Sequence, residues 1–166
     1  MNIQSLHDLY IHGIQDMRTG CAKTFSGMEA MRDAATDATL KQIVEGGLGQ
    51  MHAAMSGFDA ILARHGVEPE STGNLALKSL SDEAHAWMDG TYASETLRDL
   101  AILEKTRNIA AYPDAGFTAF VAQAKALGYD ADVADLGGDQ PPTGNDPRAM
   151  MAEVEQALLA QLPKAA

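Results

Sequence analysis

Residues 6–35 read LHDLYIHGIQDMRTGCAKTFSGMEAMRDAA, a stretch in which apolar and small residues recur in alternating steps of four and three. The recurring positions are Tyr10, Ile14, Met17, Cys21, Thr24, Met28 and Met31. This spacing is typical of a helix that buries one side in a bundle. Ser5 can cap the first amide groups, with Asp8 three residues later. We therefore predict a long first helix over residues 6–35.

Three glycines, Gly13, Gly20 and Gly27, repeat every seven residues beside this buried side. Each lowers helix propensity by about 1 kcal/mol relative to alanine. Either a neighbouring helix packs unusually close along this edge, or the row is a chance feature of a glycine-rich chain. On the first alternative, the neighbouring helix belongs either to the same chain or to a second copy. We expect a homodimer, with the first two helices contributing to its interface.

The same periodicity predicts a second helix over residues 37–65, ended by Gly66 in the left-handed conformation. Gly46, Gly47 and Gly49 interrupt its middle and predict a kink or local irregularity. A shorter third helix is expected over residues 75–88.

A fourth long helix is expected to begin after the cap residue Ser94 and to end at Gly128. Pro113 lies inside it and predicts a kink or a break. Residues 129–147 read as an irregular acidic loop rich in glycine and proline, and residues 148–162 as a terminal helix. Long helices with short connections predict one antiparallel helical-bundle domain over residues 1–166.

Charge and composition limit the classes of partner. The chain has 23 acidic and 12 basic residues and a formal charge of −11, which repels nucleic acids and anionic membranes. No run approaches the roughly 20 apolar residues that cross a bilayer, and the amino terminus does not resemble a signal peptide. The single cysteine, Cys21, cannot form an internal disulfide. We expect a cytoplasmic protein that binds neither nucleic acid nor membrane.

Several short segments resemble the YciE/YciF-like family of bacterial ferritin-like proteins, a stress-associated family, over about residues 5–136. They are LHDLYIH at 6–12, Leu40-Lys41, His65-Gly66, Arg98-Asp99 and KALG at 125–128. The resemblance implies an all-α, ferritin-like antiparallel four-helix bundle with additional short helices, often paired as a homodimer.

In metal-binding relatives, carboxylates and histidines from the bundle helices converge on a dinuclear centre. Carrying those positions over places other residue types there: Gly13, Cys21, Gly47, Gln50, Ala110, Ala111 and Pro113. A shifted register in the third bundle helix gives Lys105, Thr106 and Asn108 instead, and the acidic fourth helix falls on residues 136–142, which hold two glycines and two prolines. The resemblance thus implies a non-enzymatic member without catalytic residues, cofactor or metal ligands, acting through self-assembly or protein partners.

Two alternative metal sites stay open. Glu45, His52 and Glu104 could form a displaced site in a metal-binding or di-iron oxidase-like protein. Cys21 and the methionines at 17, 28, 51 and 55 could bind a soft ion such as Cu(I), although both residue types are also ordinary core residues.

Two further groups are interpreted as solvated surface. His12 and Asp16 lie four residues apart, away from the buried side of the first helix. The four aspartates of the acidic loop lack the spacing of a calcium-binding EF-hand, and Asp130 is expected to cap a short helix there. These four are Asp130, Asp132, Asp135 and Asp139.

Overall fold

The computed structural model describes residues 2–138 and 146–163, which contain six helices and no strand. The helices are α1 (Leu6–Ala34), α2 (Ala38–Arg64), α3 (Leu75–Met88), α4 (Glu95–Leu127), α5 (Asp130–Asp135) and α6 (Pro147–Leu159). The predicted all-α fold class is confirmed, and the bounds of the long helices agree with the apolar spacing to within a few residues. Within the described ranges, none of the helices combines the length and apolar character needed to cross a bilayer.

Local sequence explains where the helices begin and end. The Ser5 hydroxyl accepts a 3.0 Å hydrogen bond from the Asp8 amide at the start of α1. Gly66 and Gly128 adopt φ angles of 68° and 72°, the left-handed conformation that ends α2 and α4. All four residues act as the sequence predicts.

α4 continues through Pro113 without the break that the sequence offered as one alternative. Proline removes one amide donor, so a carbonyl one turn earlier loses its partner. Most of the surrounding turn is exposed, including Ala110, Ala111 and Asp114. α2 likewise remains helical through its three glycines.

α1 lies at the centre of the fold and packs against α2, α3 and α4. Its predicted buried side is confirmed, since all seven recurring positions are buried. One apolar cluster surrounds Tyr10, Ile14 and Phe58, and a second surrounds Met31 and Ile102.

The glycine row on α1 is filled by the chain's own side chains. A Cβ atom on Gly20 would lie 2.7 Å from Nδ2 of Asn74, and one on Gly27 would lie 2.5 Å from Oγ of Ser81. Both neighbours belong to the start and middle of α3. The close packing suggested by the heptad spacing is therefore real, and chance does not explain it.

The third glycine of the row, Gly13, faces α4, where a Cβ would lie 2.6 Å from Cε1 of Phe120. All three notches are thus occupied within one chain. Of the two possible neighbours of this row, the same chain and a second copy, the structure shows the same chain.

α3 and α4 are also joined by a buried lysine. The Nζ atom of Lys105 lies 3.8 Å from the centroid of the Trp87 ring and 3.4 Å from Oε1 of Glu83. The cation is therefore stabilised by an aromatic face and by a carboxylate, as a buried charge requires.

The interpretation of Asp16 as a solvated surface residue was wrong. Asp16 does not pair with His12, because its carboxylate accepts hydrogen bonds from the Thr72 hydroxyl at 2.7 Å and from Nδ2 of Asn74 at 2.8 Å. These bonds fasten the α2–α3 connection to α1.

The short helix expected in the acidic segment is present as α5, but Asp132 is fully buried and not solvated as expected. Tyr129, and not Asp130, holds the N-cap position of α5. Asp139 lies outside the described residues.

Candidate binding cavity

Most of the positions that the family resemblance assigns to metal ligands lie together around one cavity. Six of the seven line it, and the exception is Gly13, which faces Phe120. The cavity has a volume of about 890 Å³ and lies between α1, α2, α4 and the start of α6. The six lining residues are Cys21, Gly47, Gln50, Ala110, Ala111 and Pro113.

The inner wall of the cavity is apolar. Cys21, Met28 and Leu77 form its deepest part, and each is at most 3% exposed. Thr24 also lies there, but its hydroxyl already donates to the Gly20 carbonyl at 2.6 Å. Ligand atoms reaching this depth would therefore meet mainly hydrocarbon and sulfur.

Small residues on two facing helices create the space. A Cβ atom on Gly46 of α2 would have no neighbour within 4 Å, and one on Gly47 would lie 3.1 Å from Cε of Met28. Across the cavity, α4 presents Ala110 and Ala111. Side chains that would fill a tightly packed bundle are absent at these four positions.

The charged residues of the lining are engaged in local pairs. Arg148 donates to Asp114 at 2.6 Å, while Asp146 accepts from the Arg148 amide as the N-cap of α6. Arg107 donates twice to Glu155, at 2.7 and 3.0 Å. This guanidinium holds the pKa of the Glu155 carboxyl below its usual value.

Among the described lining residues, the threonine hydroxyls donate to backbone carbonyls, which leaves two glutamines as the other uncharged polar side chains. Gln42 and Gln50 of α2 are exposed at the cavity, and neither forms a side-chain hydrogen bond with another described residue. Each amide can donate and accept.

This set of donors does not fit a dinuclear metal centre. Such a centre takes several carboxylates and histidines, whereas the carboxylates that the described residues contribute to this lining are Asp114, paired with Arg148, and the helix cap Asp146. Burial raises the pKa of the Cys21 thiol to about 11, which opposes the thiolate form that binds metals. Across residues 2–138 and 146–163, no three His, Cys, Asp or Glu side chains come together as a metal site.

The proposed displaced ligands do not line the cavity and are all exposed. Glu45 accepts from Arg32 at 3.3 Å, and Glu104 accepts from Lys105 at 3.3 Å. The His52 ring packs against a phenylalanine of α1, with 4.3 Å between the ring centroids. The structure therefore leaves these three residues in separate local interactions.

The soft-ligand residues are partly brought together. Cys21, Met28 and Met51 border the same cavity, whereas Met17 is buried against the α4 turn at Gly116 and Met55 does not line the cavity. The three sulfur atoms share an apolar surface, in which the protonated thiol behaves as a small hydrophobic group.

Sequence reasoning missed a second buried group, which surrounds Asp132. Its carboxylate accepts from the Tyr10 hydroxyl at 3.0 Å and is paired with Arg64 and His65. Burial, followed by the hydrogen bond to Asp132, raises the pKa of Tyr10 far above its usual value. One signal was available, because a tyrosine at a buried helix position needs a partner for its hydroxyl.

Comparison with known proteins agrees with this fold. The model of a family described as "Domain of unknown function (DUF892)" matches residues 5–139. The structure is similar to that of the Escherichia coli stress protein YciF, with a TM-score of 0.82, 16% identity, and coverage of 96% of this chain and 100% of that chain. It is also similar to YcfI from Rhodopseudomonas palustris, with a TM-score of 0.75, 21% identity and 98% coverage of each chain. A search of curated proteins found no match.

Proposed function

The chain belongs to the family described as domain of unknown function DUF892, and from this membership we propose that it is a metal-free, non-enzymatic helical-bundle protein of the stress response. The proposal takes its biological setting from the similarity in fold to the stress protein YciF. In this view the protein acts by binding and assembly, and the bundle centre holds a cavity in place of a dinuclear metal site.

One observation supports this proposal above the others. The positions that would supply the ligands converge on one place, as ligand positions must, yet the residues found there are glycine, alanine, proline, glutamine and a protonated cysteine. Glycine, alanine and proline side chains cannot coordinate a metal. An enzyme of the di-iron type would need carboxylates in that place.

Element analysis tests the proposal. The protein should be purified from cells grown with added iron and manganese and then measured by mass spectrometry of the elements. We expect far less than one ion per chain and no oxidation of Fe(II) above the buffer rate. Roughly one or two tightly held ions per chain, as a dinuclear site would hold, would contradict it.

The alternative sites can be tested on the same sample. If metal is present, a variant with Glu45→Ala, His52→Ala and Glu104→Ala should lose it when the displaced site is responsible. If the metal is Cu(I) at Cys21, the wild-type protein should compete with a Cu(I) chelator and Cys21→Ala should not. In that case the variant with Glu45→Ala, His52→Ala and Glu104→Ala should keep its metal.

We also propose a homodimer, although the glycine row does not supply its interface. Leu6 and Leu9 lie one turn apart on α1 and are 40% and 45% exposed, with the exposed Ile3 just before them. Closed two-fold dimers are the commonest assembly of soluble proteins, and they bury apolar patches of this kind.

A further inference from the structure

We propose that the cavity between α1, α2, α4 and α6 binds an uncharged, largely apolar small molecule. This inference rests on the proposed function, because a bundle centre occupied by metal ions and their ligands would leave no room for such a molecule. The inference adds the chemical class of the ligand, which follows from the wall, the charges and the size of the cavity.

The wall selects an apolar ligand. Cys21, Met28 and Leu77 form the deep end, and Met51 and Ile109 extend the apolar surface outward. Apolar surface gains about 25 cal/mol for each Å² removed from water, so an apolar molecule in the cavity gains more than one that is polar all round. Methionine side chains are flexible and can fit ligands of different outline.

The charges select an uncharged ligand. Among residues 2–138 and 146–163, the lining contains two cations, Arg107 and Arg148, and two anions, Asp114 and Asp146. Both arginines already donate to carboxylates at 2.7 Å or less, so neither cation is left to neutralise a buried anion. An ionised ligand would lose its hydration without gaining a partner, and the formal charge of −11 disfavours anions further.

The amides of Gln42 and Gln50, which form no side-chain hydrogen bond with another described residue, are the polar part of the site. They provide donors and acceptors at the outer part of the cavity, where a ligand could place a carbonyl or hydroxyl group. A mostly apolar lining with a few polar groups, in a volume between about 300 and 1,000 Å³, is typical of small-molecule sites between helices of a bundle.

A pair of matched dyes tests in solution whether the cavity prefers apolar ligands and whether it prefers uncharged ones. N-phenyl-1-naphthylamine is uncharged, and 8-anilino-1-naphthalenesulfonate has the same ring system with one added sulfonate. With the full-length wild-type protein, we expect the uncharged dye to bind at one site per chain and the anionic dye to bind at least tenfold more weakly. Equal binding of both dyes, or binding of neither, would overturn the inference.

Two glycine variants locate the bound dye. Gly46 and Gly49 lie three residues apart in α2, and a Cβ atom at either would meet nothing within 4 Å, but of the two only Gly46 lines the cavity. Gly46→Leu should weaken binding of the uncharged dye at least tenfold, whereas Gly49→Leu should leave it unchanged. If both variants bind like the wild type, the dye lies elsewhere and the inference fails.

If circular dichroism shows that Gly46→Leu misfolds, a variant in the opposite wall provides an independent check. Ala110→Leu places a side chain in the cavity from α4 and should weaken binding of the uncharged dye at least tenfold. Titration at several protein concentrations should give the same affinity and one dye per chain. Loss of the site on dimer formation would identify a second copy as the occupant and overturn the inference.

Failure of the inference can be told apart from failure of the proposed function. Metal-free protein that binds no dye upholds the proposed function and overturns the inference. Protein that carries stoichiometric metal overturns the proposed function, and the same protein stripped by a chelator then decides the inference through the Gly46→Leu and Gly49→Leu comparison.

Discussion

The Asp132 carboxylate lies 2.7 Å from Nε2 of His65, although the two residues are 67 positions apart and Asp132 has no solvent exposure. The same carboxylate accepts from the Tyr10 hydroxyl, and Arg64 bridges Asp132 and Asp135, the latter at 2.6 Å. One acid in the short helix α5 thereby joins the start of α1 to the end of α2. A buried carboxylate is tolerated here because each of its oxygens has partners.

Removal of this carboxylate should destabilise the protein. Asp132→Ala leaves the Tyr10 hydroxyl and the Arg64 guanidinium without their buried partner, so we expect a loss of about 3 kcal/mol in the free energy of unfolding, less than for a wholly buried pair because Arg64 is partly exposed. Urea denaturation measures it. Asp135→Ala is the matched control, since it removes the half-exposed partner of the same arginine and should lose less than about 1 kcal/mol. Equal losses for both variants would refute a special role for Asp132.

The glycine row should be sensitive to a single methyl group. Gly20→Ala places a Cβ 2.7 Å from Asn74, so the packing of α3 must shift, and we expect a net loss of about 1–3 kcal/mol in the free energy of unfolding. Gly49→Ala has nothing within 4 Å and should gain up to about 1 kcal/mol from helix propensity. Because α3 belongs to the same chain, light scattering should give an unchanged mass for Gly20→Ala. A change in mass without a loss of stability would point to contact between copies instead.

Cys21 should be protected, and its titration should appear in the stability curve at high pH. The thiol is 2% exposed, so a thiol reagent should react slowly until the protein unfolds. Its pKa is about 11 in the fold against 9.0 for an unburied thiol, so unfolded chains lose the proton first as pH rises. The free energy of unfolding should therefore fall between pH 9 and 11 by at most about 2–3 kcal/mol, starting below the range in which tyrosines ionise.

Cys21→Ala isolates this contribution. The variant should lose about 1–2 kcal/mol at pH 7, because a small cavity is left, and should lack the decline that begins near pH 9. Rapid labelling of the native wild type at pH 7 would contradict the buried, protonated state.

The dimer interface can be tested at the exposed start of α1. We expect a wild-type mass near twice 17.6 kDa by light scattering at tens of micromolar. Leu9→Lys should give a monomer that keeps its helical circular dichroism, because Leu9 is already 45% exposed within one chain. Leu75→Lys is the control, since Leu75 is 75% exposed on a different helix and should not change the mass. A monomeric wild type would exclude the dimer.

The long helices were predictable because a buried helix face repeats along the sequence, as Tyr10, Ile14 and Met17 do. A short helix was expected in the acidic segment, but the burial of Asp132 in α5 was not predictable, since it depends on Arg64 and His65 from a distant helix. The glycine row predicted a close neighbour but could not identify it, because spacing on one helix does not specify which helix fills the notch.

The cavity was the hardest feature to predict. The family resemblance assigned the positions of Gly47 and Ala110 to one metal centre, and this is the place where the cavity lies. Whether missing side chains leave space or are compensated by bulk from another helix depends on packing across the whole bundle. Sequence alone therefore predicted the absence of ligands and not the space that their absence leaves.

Trp87, the single tryptophan of the sequence, gives the molecule an intrinsic optical label at one defined joint. The Lys105 ammonium lies 3.8 Å from its ring centroid, so separation of α3 from α4 removes a charge from the indole and changes its emission wavelength. Trp87 does not line the cavity, so its emission follows the docking of α3 and remains a separate signal from any ligand bound between α2 and α4. The rates of α3 docking and of ligand binding can thus be measured separately in one sample of unmodified protein.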